Sequence, residues 1–395
     1  MKKLFMFLLL SASVFLAGCE NVDDGYDPTG EQKTYALKAV TDPAIHGEAT
    51  FEKNRDGSTT ITLDLDGVTV GMHPAHIHAN SAAESGPIVI DLTPVNDSVT
   101  SVTHVSAFNN GMNITYEELL NFDAYINVHE SVAKLGTLLA QGDIGANELT
   151  GESKVYELGS KSNPNIMGDA TFAERKNGTT LITIALEGTS EGDAFPAHIH
   201  RNSAAQGGAI IINLDTIRGS AGMSLSQIDT LNTGESITYE ELLAFDGYIN
   251  AHLSADNLGV LVAQGDIGAN ELTGESKEYT LGSKSDPNIR GTANFAQRVN
   301  GSTLITIALE GTAEGDAFPA HIHRNSAEES GPIIINLDTI RGPVGVSLSQ
   351  IDTLNDGDPI SYEQLLEFDG YINAHLSASN LGVLVAQGNI GANAE

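Results

Sequence analysis

The residues best suited to chemistry in this chain are histidines, and they recur in a fixed pattern. Pro-Ala-His-Ile-His stands at residues 74–78, 196–200 and 319–323. About fifty residues after each copy comes Tyr-Ile-Asn-x-His, at residues 125–129, 248–252 and 371–375. Together these stretches hold nine of the twelve histidines. Successive side chains on a β-strand point to opposite faces. His198 and His200 therefore share one face, and Ala197 and Ile199 the other. By the same parity Tyr248, Asn250 and His252 share a face opposite Ile249 and Ala251.

Three imidazoles brought together suit Zn²⁺ or Cu²⁺ and leave one position open for water or another ligand. The candidate metal ligands form one trio per copy: His76, His78 and His129; His198, His200 and His252; His321, His323 and His375. Asn250 is placed to orient a ring. A metal-free reading also fits, in which histidines and a tyrosine on one strand face form a hydrogen-bonded polar network. The sequence leaves both readings open, since it does not say whether the two polar faces meet. His46, His73 and His104 occur in the first copy alone and read as surface residues. Asp64 and Asp66 read as an exposed strand face. No nucleophile–base pair, phosphate loop or pair of catalytic carboxylates stands out, so no catalytic residue is assigned.

The elements that must position these histidines are mostly strands. In the second copy, alternating runs at 169–174 and 180–186 flank Arg175-Lys176-Asn177-Gly178, a strong hairpin cue. Residues 209–214 are apolar and β-branched, and read as buried on both faces. Thr238 followed by Glu241 three residues on is a capping box that opens the one clear helix, over residues 238–245. Each unit then has about seven short strands and one short helix, which indicates an antiparallel sandwich or barrel. The spacing from His76 to His198 is 122 residues and from His198 to His321 is 123. Residues 141–153 and 264–276 are the same thirteen, QGDIGANELTGES. A period that long is a domain, not a solenoid unit. The expected organisation is therefore three tandem domains, at 34–150, 151–273 and 274–395, with short links near 147–152 and 270–275.

The N-terminus begins Met-Lys-Lys, runs apolar from Leu4 to Ala17 and reaches Leu16-Ala17-Gly18-Cys19. This reads as a bacterial lipoprotein signal peptide over residues 1–18, with Cys19 the lipidated first residue of the mature protein. Residues 19–33 read as a flexible acidic tether. The expectation is a chain anchored by lipid in the bacterial cell envelope, at the outer membrane and exposed at the surface. Cys19 is the only cysteine, so no internal disulfide is expected. The formal charge of −33 argues against nucleic acid and against anionic headgroups as partners.

The histidine motifs, the Gly-Pro-Ile runs at 86–90 and 331–335, and the closing Gly-x-Leu-x-Ala-Gln-Gly resemble the CHRD domain. The second copy departs from that pattern with Gly207-Gly208-Ala209. Glu130, Leu253 and Leu376 stand where the family usually has a threonine. The resemblance implies an immunoglobulin-like fold, hence three all-β antiparallel sandwiches with one short helix each. A weaker resemblance is to copper/zinc superoxide dismutase, which also carries His-x-His on a strand; the cysteine pair, bridging histidine and zinc cluster of that enzyme have no counterpart here. The function expected is a non-catalytic binding or scaffold protein presenting three modules to an extracellular protein or other ligand. The alternative is a copper- or zinc-binding protein, redox-active or not, using one three-histidine site per module.

Overall fold

The computed structural model describes residues 26–96, 99–219 and 221–394. The stretch read as a signal peptide, with Cys19, lies outside these residues. The first unit contains β1 (Pro28–Ala39), β2 (His46–Asn54), β3 (Thr59–Asp66), β4 (His73–Ala79), β5 (Ile88–Val95), β6 (Thr100–Val105), α1 (Tyr116–Leu119), β7 (Asp123–Ser131) and β8 (Lys134–Gly145). The second contains β9 (Leu149–Ser160), β10 (Met167–Arg175), β11 (Thr180–Glu187), β12 (Ala194–Arg201), β13 (Ile210–Arg218), β14 (Met223–Ile228), α2 (Tyr239–Leu243), β15 (Asp246–Ser254) and β16 (Asn257–Gly268). The third contains β17 (Leu272–Ser283), β18 (Arg290–Arg298), β19 (Thr303–Glu310), β20 (Ala317–Arg324), β21 (Ile333–Arg341), β22 (Val346–Ile351), α3 (Tyr362–Leu366), β23 (Asp369–Ser377) and β24 (Asn380–Gly391). β1 begins inside the stretch read as tether. β9 and β17 begin inside the stretches read as links.

The second and third units are closed eight-stranded antiparallel barrels, and the expected immunoglobulin-like sandwich is overturned. The second barrel runs β10-β11-β14-β13-β12-β15-β16-β9, and β9 pairs back to β10. The third follows the same order. The first is an eight-stranded sheet ordered β5-β4-β7-β8-β1-β2-β3-β6. It is the same Greek-key circuit, nearly closed, with the Thr93 amide donating to the Thr103 hydroxyl at 2.7 Å between β5 and β6. A sandwich and a barrel share the same in–out alternation. They differ in whether the edge strands pair, and closure removes the edges that a sandwich must protect.

One glycine per unit lets the first and last strands pair. β9 and β16 pair at Ser160 with Ala263 and at Gly159 with Gln264. A Cβ on Gly265 would lie 2.0 Å from the Glu157 carbonyl oxygen, so only glycine lets these two backbones approach. Gly142 and Gly388 meet Ala36 and Thr280 in the same way. Inside the second barrel Ala197, Ile199, Ile249 and Ala251 are wholly buried together with Phe172 and Ile184. The hairpin cue at 175–178 is observed, with Gly178 at φ +80°. The helix is also where the capping box placed it. Thr238 accepts from the Glu241 amide and the Glu241 carboxylate accepts from the Thr238 amide. It lasts only five residues. Residues 209–214 are not buried on both faces: Ile210 is 42% exposed, while Ile211, Ile212 and Leu214 are buried.

The first barrel forms one compact unit, and the second and third together form another. Within the latter, the hairpin of the third barrel seats on the chain leaving the second: the Val299 amide donates to Glu271 and the Asn300 amide to Ala269, both at 2.9 Å. The Arg298 side chain is fully buried there, with Nη2 2.8 Å from Asp266 Oδ2 and Nη1 donating to the Asn270 carbonyl.

Candidate functional site: three clusters of imidazoles

The expected parity holds, and it brings the histidines together. β12 and β15 are hydrogen-bonded neighbours, with His198 opposite Asn250 and His200 opposite Tyr248. The polar sides of both strands lie on the outer face of the barrel, since Ala197, Ile199, Ile249 and Ala251 fill the inside. His252 is two residues beyond Asn250 on the same face. The ring centres of His198 and His252 are 4.9 Å apart, those of His198 and His200 6.0 Å, and those of His200 and His252 6.2 Å. His76, His78 and His129 repeat this arrangement in the first barrel, as do His321, His323 and His375 in the third. In each trio one nitrogen per ring lies within 4.8 Å of the other two.

Hydrogen bonds decide which nitrogen each ring offers. His200 Nδ1 donates to the Gly208 carbonyl at 3.0 Å and His252 Nδ1 to the Leu258 carbonyl at 2.7 Å. A carbonyl can only accept, so each Nδ1 carries the proton and each neutral ring turns an Nε2 lone pair to the cluster. His78 and His129 do the same through Gly86 and Leu135, and His323 and His375 through Gly331 and Leu381. The remaining ring offers Nδ1: those of His76, His198 and His321 are buried and without a hydrogen-bond partner. Nε2 of His129, His252 and His375 is likewise buried and without one. The Asn250 and Asn373 amides reach Nε2 of His200 and His323 at 3.4 Å, and the network reading still leaves at least two lone pairs per cluster facing one another without a donor. A cation satisfies all three at once, and a backbone carbonyl behind a ring is the usual outer support of a metal-bound histidine.

Electrostatics point the same way. Burial, reinforced by the neighbouring His252 and His200 rings, pushes His198 down to about 4. Burial and the rings of His375 and His323 do the same for His321. Burial also lowers His76, with Asp91 opposing. Asp91 Oδ1 lies 3.9 Å from His76 Nε2, while Asn213 and Asn336 occupy that place in the other barrels. Imidazoles held neutral are ready to ligate. They also destabilise the metal-free fold in acid. An unfolded histidine takes up a proton near its ordinary 6.5, and the folded one resists until about 4, so stability falls as pH drops between those values. After allowance for partial exposure, the loss is on the order of 1 kcal/mol for each of the second and third barrels. Urea melts of chelator-treated protein at pH 7.5 and 4.5 check this: the drop should shrink in a His198→Gln, His321→Gln variant.

The tyrosine expected on this face takes a defined place, and one part of the site, the glutamine of Ala-Gln-Gly, was not foreseen. Tyr248 stacks on His200 at 4.9 Å, and its hydroxyl accepts from the Gly208 amide at 3.0 Å. Gln264 Nε2 donates to Asn250 Oδ1 at 2.8 Å, repeated by Gln141 with Asn127 and by Gln387 with Asn373. The thrice-repeated Ala-Gln-Gly was the available signal. His73 is not a surface residue: it is 3% exposed, with its ring nitrogens 2.8 Å from the Glu130 and Thr69 carbonyls, and it does not join the trio. His46 is exposed, as are Asp64 and Asp66. Among the described residues no further group of three His, Cys, Asp or Glu side chains converges, so a second metal cluster of the superoxide dismutase kind has no counterpart among them.

Fold and site together define a Greek-key barrel module with a three-imidazole cluster on its outer face, built three times. Residues 29–138, spanning most of the first barrel, match the family model of the CHRD domain. Comparison with curated proteins and with solved structures gives no match.

Proposed function

We propose that this chain is an extracytoplasmic binding protein in which each barrel holds one copper or zinc ion between three histidines. The observation that carries this reading is the convergence, in all three barrels, of three ring nitrogens, two of them on rings whose other nitrogen is fixed by a backbone carbonyl. Copper and zinc are the divalent ions that such a neutral nitrogen set favours. The charge of −33 raises the local concentration of cations. The CHRD match supports an extracellular binding module, and tandem copies favour avidity for a partner over catalysis. Metal analysis of purified protein tests the reading. About three equivalents per chain are expected, and changing His198, His200 and His252 together to Ala should leave two. Three equivalents retained in that variant, or none in either protein, would end the proposal.

The anchor is part of the same proposal. Cys19 carries lipid and tethers the barrels to the outer membrane, with an extracellular protein as the partner presented to. Cells fed radiolabelled palmitate should label the wild type, and Cys19→Ser should carry no label. Equal labelling of both would remove the anchor.

A further inference from the structure

We propose that the metal sites of the second and third barrels take, besides their three histidines, a small inorganic monoanion of the size of hydroxide or azide, held by the side-chain amides of Asn250 and Asn373. This rests on the metal-binding reading. Asn250 is 6% exposed and Asn373 7%. Because Gln264 donates to its oxygen at 2.8 Å, the Asn250 amide is held with Oδ1 toward Gln264 and Nδ2 toward the cluster. Nδ2 stands 3.4 Å from His200 Nε2, and Asn373 Nδ2 stands 3.4 Å from His323 Nε2. A metal on His200 Nε2 would consume the lone pair that Asn250 Nδ2 faces. Loading the site would then strand a buried donor, which is costly unless a new acceptor arrives.

The acceptor follows from the coordination. Three imidazoles leave a fourth position on copper or zinc. An atom bound there lies beside the Nδ2 that has lost its partner. A charged acceptor makes the stronger bond to an amide donor, and an anion also offsets the charge of an ion held only by neutral rings. The ligand must be small, because His200, His252 and Asn250 are all buried while the His198 ring alone is partly open to solvent.

The test uses the full chain loaded with Cu²⁺, with metal content measured first and azide then titrated by its charge-transfer absorption. Azide should bind the wild type. The Asn250→Ser, Asn373→Ser variant should keep its copper and bind azide about tenfold more weakly at the second and third sites, the scale of one hydrogen bond to a charged acceptor. Should that variant fail to fold, Gln264→Leu, Gln387→Leu frees the same amides and should weaken azide in the same direction. Copper bound with azide affinity unchanged by either variant, or with no azide binding to the wild type, overturns this inference and leaves the metal sites standing. A wild type that binds no copper or zinc overturns both.

Discussion

Adding copper or zinc to the chelator-treated protein is expected to raise its unfolding temperature by on the order of 10 °C. The trios bring this about because they form only in the folded chain: His198 and His252 are about fifty residues apart in sequence and meet through the β12–β15 ladder. An ion that binds the folded state alone stabilises it by mass action, about 4 kcal/mol per site at a thousandfold excess over the dissociation constant. For domains of this length each kcal/mol moves the midpoint by a few degrees. EDTA should return the melt to its starting point, and the variant with His198, His200 and His252 changed to Ala should lose the part of the shift that belongs to the second barrel. Melts that overlay with metal and with chelator would show that nothing binds, and would return the clusters to a polar network.

Arg298→Met should cost about 3–5 kcal/mol, the usual result of taking one partner from a buried ion pair. The guanidinium has no exposure, and it spans Asp266 and the Asn270 carbonyl at the join of the second and third barrels. Asp266 is 19% exposed, and its other oxygen accepts the Ala204 amide at 2.7 Å, which holds the carboxylate at the join when the arginine goes. Asn270, itself wholly buried, donates to Asp246 at 2.6 Å and to the Asn202 carbonyl at 3.0 Å. Urea unfolding of the variant measures the loss. Asp266→Asn added to Arg298→Met should recover part of it, because the stranded charge is then gone. A single variant within 1 kcal/mol of the wild type would mean that the join is solvated and carries little of the stability.

The site was more legible in the sequence than the fold around it. Strand parity put His198 with His200 and Tyr248 with Asn250 and His252, and all five residues lie on one face. The third histidine could be paired with the first two only because the spacing recurred three times. Barrel closure was not legible in the same way. It rests on Gly159 facing Gln264 across more than a hundred residues, and on a single register pair, Arg218 with Met223, between β13 and β14. Neither leaves a periodic trace, and the alternation that signals a strand is identical in an open sheet. Gly265 was the local clue, being a glycine in the middle of a closing strand. The joins misled for a related reason. Gly-Ala-Asn-Glu-Leu-Thr-Gly-Glu is polar and glycine-rich, as a link is, but its Asn270 is buried and the strand β17 begins at Leu272. His73 read as a surface residue because its partners are carbonyls of Thr69 and Glu130, and carbonyls have no sequence signature.

The imidazoles sit on the outside of a barrel whose inside is already full. Ala197, Ile199, Ile249 and Ala251 face inward from the same strands, and their burial owes nothing to what the outer face carries. A zinc finger collapses when it loses its ion, because the ion is most of its core. These barrels keep their cores when emptied. On the metal-binding reading proposed above, an ion would come and go without the chain unfolding, as in a reversible depot that takes metal up where it is plentiful and releases it to a stronger acceptor.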